Sequence, residues 1–394
     1  MSIAIAYERS ETDELGIKLT AEELGIDIAY IPFHKVSFCI DKDGYRVRSK
    51  GKNYFRIVED VSVILNRTQS KNRRLFAANI FEAFGKHVIN SSYVEFVCFS
   101  KLRTLLHFWR EGIRMPTTVY VPCNTCERKT DGGKVYNHED IADLVQQELN
   151  NGGIVVKPDA GTHGKRVKLA RKREDLLRIL QGTEPSIINP AGVLAQEFVE
   201  KWFYDLRIVA AKKSGGTPYC YPKALARAGF KDFRTNTYLG NMVFGVNLPS
   251  YIRETAVRCG EAIGKNSETW VLAFDAMLDV GEDKTADDEY IRCELEKLVP
   301  SFNEIKKVKS ERNKKKNFSS WNKGLERAFQ DYMSLEAYEN VRKAIEESVE
   351  RKKHSVLFHE ANSCPEFWEQ TRLIAGINLA IPLLECAQSI IDSG

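Results

Sequence analysis

Residues Ile154–Arg166 read IVVKPDAGTHGKR, a β-branched run that ends in a lysine and a proline and passes directly into a glycine loop. A buried strand would hold Lys157 at its end, and Gly161 and Gly164 would let the following backbone turn its N–H groups toward an anion with no Cβ in the way. Lys165 and Arg166 add positive charge. This is the chemistry of a phosphate-binding turn, although a Gly-Lys surface turn after a strand is the commoner use of such residues. It is not a Walker A loop, which requires a glycine where Asp159 stands and a hydroxyl residue where Arg166 stands.

Outward from this stretch the chain alternates strand and helix signals. On the N-terminal side these are SIAIAY, a helix from Thr12 to Leu24, DIAYI, VSVIL, a helix from Lys71 to Phe84, and HVIN, a pattern that implies a parallel α/β sheet. A helix from Phe99 to Glu111 follows, closed by Gly112, and Pro116 opens the strand MPTTVYV. After a loop at 123–137 comes a helix over 138–150, and then the strand bearing Lys157. On the C-terminal side lie LAQEFVE, DLRIVAAK, a helix over 249–264, WVLAFDAMLDV and SVLFHEA.

Between the last two strands sits an insertion, 281–355, where a hairpin needs only about 2 to 5 residues. Thr285 and Asp288 match a capping box, and Leu335, Tyr338, Val341, Ile345 and Val349 share one helical face, as do Leu325 and Phe329. The insertion is expected to be a helical subdomain. Its middle, KKVKSERNKKK at 306–316, holds seven basic residues and one acidic residue, and reads as an exposed linker that is either simply solvated or docks an acceptor or nucleic acid.

At 394 residues the chain predicts two or three domains. Its net charge of +4, from 58 basic and 54 acidic residues, argues against a dedicated nucleic-acid binder and leaves small anions as partners. No apolar run is long enough to span a membrane, and the N-terminus reads as a strand and helix without a signal peptide, so a cytoplasmic protein is expected. Nine scattered cysteines then predict reduced thiols. The lone C-x-x-C at Cys123 and Cys126 reads as an ordinary loop, and none of the seven histidines falls in a metal motif.

Two apolar strands carry acids. Asp275 lies within WVLAFDAML, where a buried carboxylate demands compensation. In VLFHEANSCP, Glu360 and Asn362 are two apart and therefore share a face. Three oxygen donors on neighbouring strands, with a lysine-glycine loop upstream, suit a hard cation such as magnesium, whose shell is completed by water and phosphate oxygens. Salt bridges to arginine are the alternative compensation.

With these pieces in order, the chain resembles the ATP-grasp superfamily, specifically its RimK and LysX branch of carboxylate-amine ligases. The resemblance rests on SKLRTLLHFWREGIRMPTT, IVVKPDAGTHGKR, QEFVE followed by Asp205 and Arg207, DFRTN, FDAML, and HEANSCPEF with GINLA after it; ILNRTQSKNRR adds a weaker likeness upstream. It implies an α/β fold, α+β in its ATP-grasp part, with a Rossmann-like pre-ATP-grasp domain at 1–97, a lid domain at 98–193 and a C-terminal domain at 194–394. It also implies ATP and magnesium as cofactors, two ions with manganese as a substitute.

Carried over by position, Lys101 and Lys157 would touch the ATP phosphates, and Gly161, Thr162, His163, Gly164 and Lys165 would form the lid loop. Gln196 and Val199 would hold adenine, with Glu197 beside them and Asp205 near the ribose. Asp275, Glu360 and Asn362 would bind the metal. Arg207, Arg227 and Asn236 would face the acyl phosphate or a substrate carboxylate. Members of this branch often have paired arginines where this chain has Ala226 and Arg227, Gly-Gly where it has Gly240 and Asn241, and Pro-Gly where it has Pro365 and Glu366. These departures lie on the acceptor side.

The expected activity is ATP-dependent ligation of an amino acid, such as glutamate, to a carboxylate-bearing small molecule, peptide or carrier protein, with no nucleic acid or membrane partner and with homo-oligomers allowed. A phosphotransferase that stops at phosphorylation and a non-catalytic nucleotide- or RNA-binding protein are the competing readings.

Overall fold

The N-terminal alternation folds into a parallel sheet. The computed structural model describes residues 3–8, 11–49, 52–53, 55–122, 138–149, 152–161, 164–183, 186–189, 191–235, 237, 240–311, 316–351 and 355–393. Strand β1 (Ile3–Tyr7), helix α1 (Thr12–Glu23) and strand β2 (Ile28–Pro32) open the chain. A small antiparallel sheet, β3 (Val36–Asp41), β4 (Gly44–Ser49) and β5 (Lys52–Asn53), and helix α2 (Phe55–Asp60) then interrupt the alternation. It resumes with β6 (Val63–Arg67), α3 (Lys71–Ala83) and β7 (His87–Ile89), giving the sheet order β2-β1-β6-β7. Ile3, Ala4, Ile5 and Ala6 are all buried, because a parallel strand is covered on both faces.

The helix expected from Phe99 begins instead at Lys101. A separate helix, α4 (Ser92–Phe99), precedes α5 (Lys101–Arg110), and the extended backbone of Ser100 breaks the two. Ser100 is the N-cap of α5, its hydroxyl accepting from the Arg103 N–H, so its side chain supplies what a continuous helix would have provided.

The Lys157 strand lies in a second, antiparallel sheet with order β10-β9-β11-β8. Its elements are β8 (Thr118–Pro122), α6 (His138–Glu148), β9 (Ile154–Pro158), β10 (Lys168–Ala170), α7 (Arg173–Gln181) and β11 (Gly192–Glu197). Val121, Ile141, Val156, Leu176 and Val193 fill the space between this sheet and its two helices. Because β11 pairs with β8 and β9, the sheet continues past residue 193. The loop with Cys123 and Cys126 lies outside the described residues.

A third sheet supplies most of the site. It comprises β12 (Tyr204–Lys212), β13 (Tyr219–Cys220), β14 (Lys223–Ala228), β15 (Met242–Asn247), β16 (Trp270–Asp279) and β17 (Ser355–Asn362), in the order β15-β14-β12-β16-β17 with β13 beside β12. Helix α8 (Ser250–Gly264) packs against it, and Trp270 fits where Gly260 and Gly264 leave the helix surface bare: a Cβ on Gly260 would lie 2.1 Å from the indole.

The insertion is helical, as its periodicity predicts: α9 (Asp288–Lys309), α10 (Phe318–Met333) and α11 (Glu336–Glu350). Two details differ. The N-cap of α9 is Asp287, which accepts from the Glu289 N–H, whereas the Thr285 hydroxyl donates to the Ala344 carbonyl and Asp288 accepts from the Trp202 indole; the capping-box spacing is present but both side chains have tertiary partners. The first part of the basic run is also not a linker. Lys306, Lys307 and Lys309 form the last turn of α9, where positive charge faces the carbonyl end of the helix dipole. Residues 312–315 lie outside the described residues. Leu335 stands at the N-cap of α11, 36% exposed, while Tyr338, Val341, Ile345 and Val349 are buried. The insertion is tied to β15 by Tyr332, whose hydroxyl donates to the Val243 carbonyl, and by Tyr338, whose oxygen accepts from the Gly245 N–H. Helices α12 (Thr371–Ala375) and α13 (Ala380–Ser393) close the chain. Among the described residues no helix is long and apolar enough to cross a membrane.

The fit of Trp270 between two glycines gives a direct test. Gly260→Ala should destabilise the protein by about 1–3 kcal/mol through overpacking, read as a lower urea midpoint at unchanged slope.

Candidate active site

Register places the charged residues of the third sheet in one row. Asp205 and Arg207 are two apart on β12 and so share a face; Asp205 lies opposite Arg227 of β14, and Arg207 opposite Asp275 of β16. Asp275 lies opposite Glu360 of β17. The register shifts by one residue just beyond this pair, a β-bulge that leaves His359 without an opposite residue, and both His359 and Glu360 line the central cavity.

Arginine compensates Asp275. Arg207 donates to both its oxygens, at 2.9 and 3.1 Å, and Arg227 Nη2 lies 3.2 Å away. Arg227 also makes a two-pronged pair with Asp205, at 2.7 and 2.8 Å. Burial would raise the Asp275 carboxyl, but Arg207 and Arg227 outweigh it and hold the group well below the usual carboxylate range. The same competition between burial and Arg227 keeps Asp205 low.

Lysines surround Glu360. Lys101 Nζ is 3.3 Å and Lys71 Nζ 3.7 Å from its carboxylate. Burial is opposed by Lys101 and Lys71, which bring Glu360 down to about 2. The lysines are lowered as well, which for them favours the neutral form: burial, reinforced by the neighbouring Lys101, brings Lys157 to about 7 and Lys71 to about 8. Lys201, held by the Thr235 hydroxyl at 2.9 Å, is lowered by burial to about 8.

The glycine loop is joined to this group through its own ends. Asp159 Oδ1 accepts from the Ser100 hydroxyl and the Leu102 N–H, both at 2.9 Å, so the strand end that carries Lys157 also caps the helix that carries Lys101. Lys101 donates to the Gly161 carbonyl at 2.6 Å, and Arg234 of the DFRTN segment donates to the Gly164 carbonyl at 3.0 Å. Gly164 has φ +66, a conformation open to glycine at little cost. Thr162, His163 and Asn236 lie outside the described residues.

A cavity of about 520 Å³ connects these groups. At one end Val155, Gln196, Glu197, Phe198, Val199 and Met277 form an apolar slot with edge hydrogen-bonding groups, suited to a flat heteroaromatic ring. The Gln196 carboxamide donates to the Thr118 hydroxyl at 2.7 Å, and Glu197 accepts from the Thr117 N–H at 2.8 Å, which fixes both. Lys101, Lys157 and Lys165 line the middle, with Asp205, Arg207, Arg227, Asp275, Glu360 and Asn362. Among the described residues no three His, Cys, Asp or Glu side chains are grouped to hold a metal by themselves. Two carboxylates and the Asn362 carboxamide oxygen are the donor types a hard cation takes, with the rest of its shell drawn from a phosphate tail, and the buried Asn362 Nδ2, which has no partner among the described residues, is a donor that a phosphate oxygen would satisfy.

Sequence reasoning did not assign Lys71, Lys201, His359 or Asp159. Lys71 stands in the NRTQSKNRR segment, where a lysine just after a serine N-cap could have drawn attention; the others depend on pairings that only the fold creates.

Residues 132–295 match the family of RimK-like ATP-grasp domains. The chain is an ATP-grasp ligase of the RimK and LysX type. It is 24% identical over 265 residues to the alpha-aminoadipate–LysW ligase LysX of Sulfurisphaera tokodaii, covering 67% of this chain and 82% of that one. It is 30% identical over 190 residues to a probable alpha-L-glutamate ligase of Thioalkalivibrio sulfidiphilus, covering 47% and 54%. The ATP-grasp fold extends along the whole ligase: the ATP-grasp ligase PsnB, complexed with a minimal precursor, aligns with TM-score 0.54 at 12% identity over 100% of this chain and 99% of that one. D-alanyl-alanine synthetase A of Vibrio cholerae aligns with TM-score 0.53 at 10% identity over 100% and 98%.

The depressed Lys157 makes a signed prediction. At pH 8 this lysine is mostly neutral in the free ligase, and a phosphate anion favours its charged form, so ADP binding should take up as much as about one proton. Calorimetry in buffers of different ionisation heat should show this uptake, reduced in Lys157→Met. ADP affinity should fall in that variant while adenosine affinity stays within about two-fold, because only the charged tail loses a partner.

Proposed function

We propose that this ligase activates a substrate carboxylate as an acyl phosphate and joins it to the amine of an amino acid, with glutamate favoured. The observation that carries this reading is the cation-rich row itself: Arg207 and the lysines converge on the place where a phosphate tail would meet a second substrate. The named relatives support the substrate classes, since the Sulfurisphaera tokodaii proteins are ligases of alpha-aminoadipate and of glutamate to LysW, and others are probable alpha-L-glutamate ligases. A carrier protein, a peptide or a small carboxylate would each serve as acceptor.

In this reading Gln196 and Val199 hold the adenine, and Lys101 and Lys157 hold the phosphate tail in line with the acceptor. The acceptor carboxylate oxygen bonds to the γ-phosphorus as the bond to ADP breaks. The amine nitrogen then attacks the acyl carbon, phosphate leaves with the bonding electrons, and the amine loses its proton. No covalent enzyme nucleophile is needed. Asp275, Glu360 and Asn362 would hold two Mg2+ ions, or Mn2+, which spread the negative charge of the transferred group. Arg207, with a side chain 20% exposed against 4% for Arg227, is the arginine better placed to meet that charge. Arg227 serves mainly to fix Asp205 and Asp275.

The two acids should respond differently to neutralisation. Glu360→Gln should lower turnover by at least about 100-fold with the fold retained. Asp275→Asn, by contrast, removes the carboxylate that Arg207 faces and leaves Arg227 with Asp205 alone, and should also cost stability, by about 1–3 kcal/mol. Circular dichroism, urea unfolding and ADP release check both. ADP release with and without glutamate, together with product mass from enzyme, ATP and cell extract, tests the reaction: release without an amine, accompanied by a stable phosphorylated product, would replace ligation by simple phosphotransfer.

A further inference from the structure

The far end of the cavity, beyond the phosphate lysines, is walled by two separate parts of the chain. One is Asp13 and Glu14 in the first turn of α1, with Arg67 at the carboxyl end of β6; the other is Cys364, Pro365 and Glu366, just after the strand bearing Glu360 and Asn362. Arg67 joins them. Its guanidinium is 2.8 Å from Asp13, 3.6 Å from Glu14 and 3.4 Å from the Pro365 carbonyl.

What holds the second wall in place is Trp368. Its backbone N–H and that of Phe367 both donate to Asp13 Oδ1, at 2.9 and 3.2 Å. Its ring lies against α1 at Gly16, where a Cβ would come within 2.0 Å of the indole. On its other side the indole N–H donates to Asn322 Oδ1 of α10 at 2.9 Å, in the insertion. Arg372 stacks on the indole at 4.1 Å and donates to the same Asn322 oxygen at 2.7 Å and to Glu326 at 2.9 Å. Asn322 in turn donates to Glu326 at 2.9 Å, so the carboxamide is held in one orientation. Lys309, at the end of α9, adds a second tie to Glu369 at 2.8 Å.

We infer that the insertion is a positioning element for the acceptor: Asn322, acting through Trp368, holds residues 364–368 against Asp13 and Arg67 and thereby fixes the shape of the acceptor end of the cavity. This rests on the proposed reaction only in naming that end the acceptor end. The physical basis is that a buried hydrogen bond to a rigid indole orders the segment it belongs to, and a side chain that reaches no substrate can still set substrate geometry. Asn322 and Trp368 are positioning residues, and the nucleotide end, which they do not approach, should not register their loss.

The test removes the bond from each side, with Asn322→Leu and Trp368→Phe, and restores an acceptor oxygen with Asn322→Asp. Amide exchange of the full chain with Mg·ADP bound should rise by about ten-fold or more at residues 364–368 and in the first turn of α1, with exchange at Gly161–Lys165 unchanged. ADP affinity by calorimetry should stay within about two-fold, while the amount of cell extract supplying the acceptor that gives half-maximal ADP release at saturating glutamate rises about ten-fold at little-changed maximal rate. Asn322→Asp should recover most of both effects. Unchanged exchange at 364–368 in both variants that lack the bond would overturn the inference, as would an equal loss of ADP affinity. If the wild-type chain ligates nothing, the exchange comparison alone decides the positioning role, and the proposed reaction fails separately.

Discussion

Two arginines, one buried and one half-buried, cannot sit side by side on a sheet without carboxylates to face them. Arg207 and Arg227 each bind Asp275, and Arg227 also grips Asp205, so Asp275 is the shared partner and its removal leaves Arg207 without the carboxylate it faces. This constraint fixes the register of β12, β14 and β16 more firmly than apolar packing would, because a one-residue slip would carry the whole row into the core on the other face. The other groups of the site take their positions from this row: Glu360 through its pairing with Asp275, and the lysines through Glu360.

The charges do not balance around this centre. Lys71, Lys101, Lys157, Lys201, Arg207 and Arg227 face Asp205, Asp275 and Glu360. Part of the excess is relieved at Lys157, which burial brings to about 7 so that it shares its proton with water near neutral pH, while Lys71, at about 8, stays mostly charged there. A site in that condition has a standing preference for a polyanion, and the fold loses some stability at neutral pH by keeping it. Such strain belongs at a functional site, and it is relieved when phosphate oxygens take the place of missing counter-charges.

Much of this was legible in the sequence, for definite reasons. The strand bearing Lys157, the strands bearing Asp275 and Glu360, and the insertion helices all carry periodicities that survive folding. What was not legible depends on pairing. KALARA and MVFGVN (β14 and β15) have no strong alternation, because α12 and α11 cover one face of them while the polar row occupies part of the other. The break at Ser100 was hidden because α4 and α5 share a continuous apolar pattern across it. Asp159 attracted notice only for spoiling a nucleotide motif, and its hold on Ser100 requires knowing that two segments some sixty positions apart meet. Thr285 and Asp288 matched a local rule, yet tertiary partners claimed both.

The bulge at His359 has a consequence for how this strand can change over time. Phe358 and Ala361 are both fully buried although they are three apart, because the extra residue between them switches the parity of the strand. Upstream of it even-numbered residues face the core, and downstream odd-numbered ones do. Deleting His359 would therefore not break the row: Phe358 would still pair with Ala276 and Glu360 with Asp275, now in unbroken alternation, with Glu360 and Asn362 still facing away from the core. The single surplus residue is thus the place where this strand can lose a residue and keep both faces; what would go with it is the local bend and the imidazole in the cavity, whereas substitutions at 359 leave the bend in place.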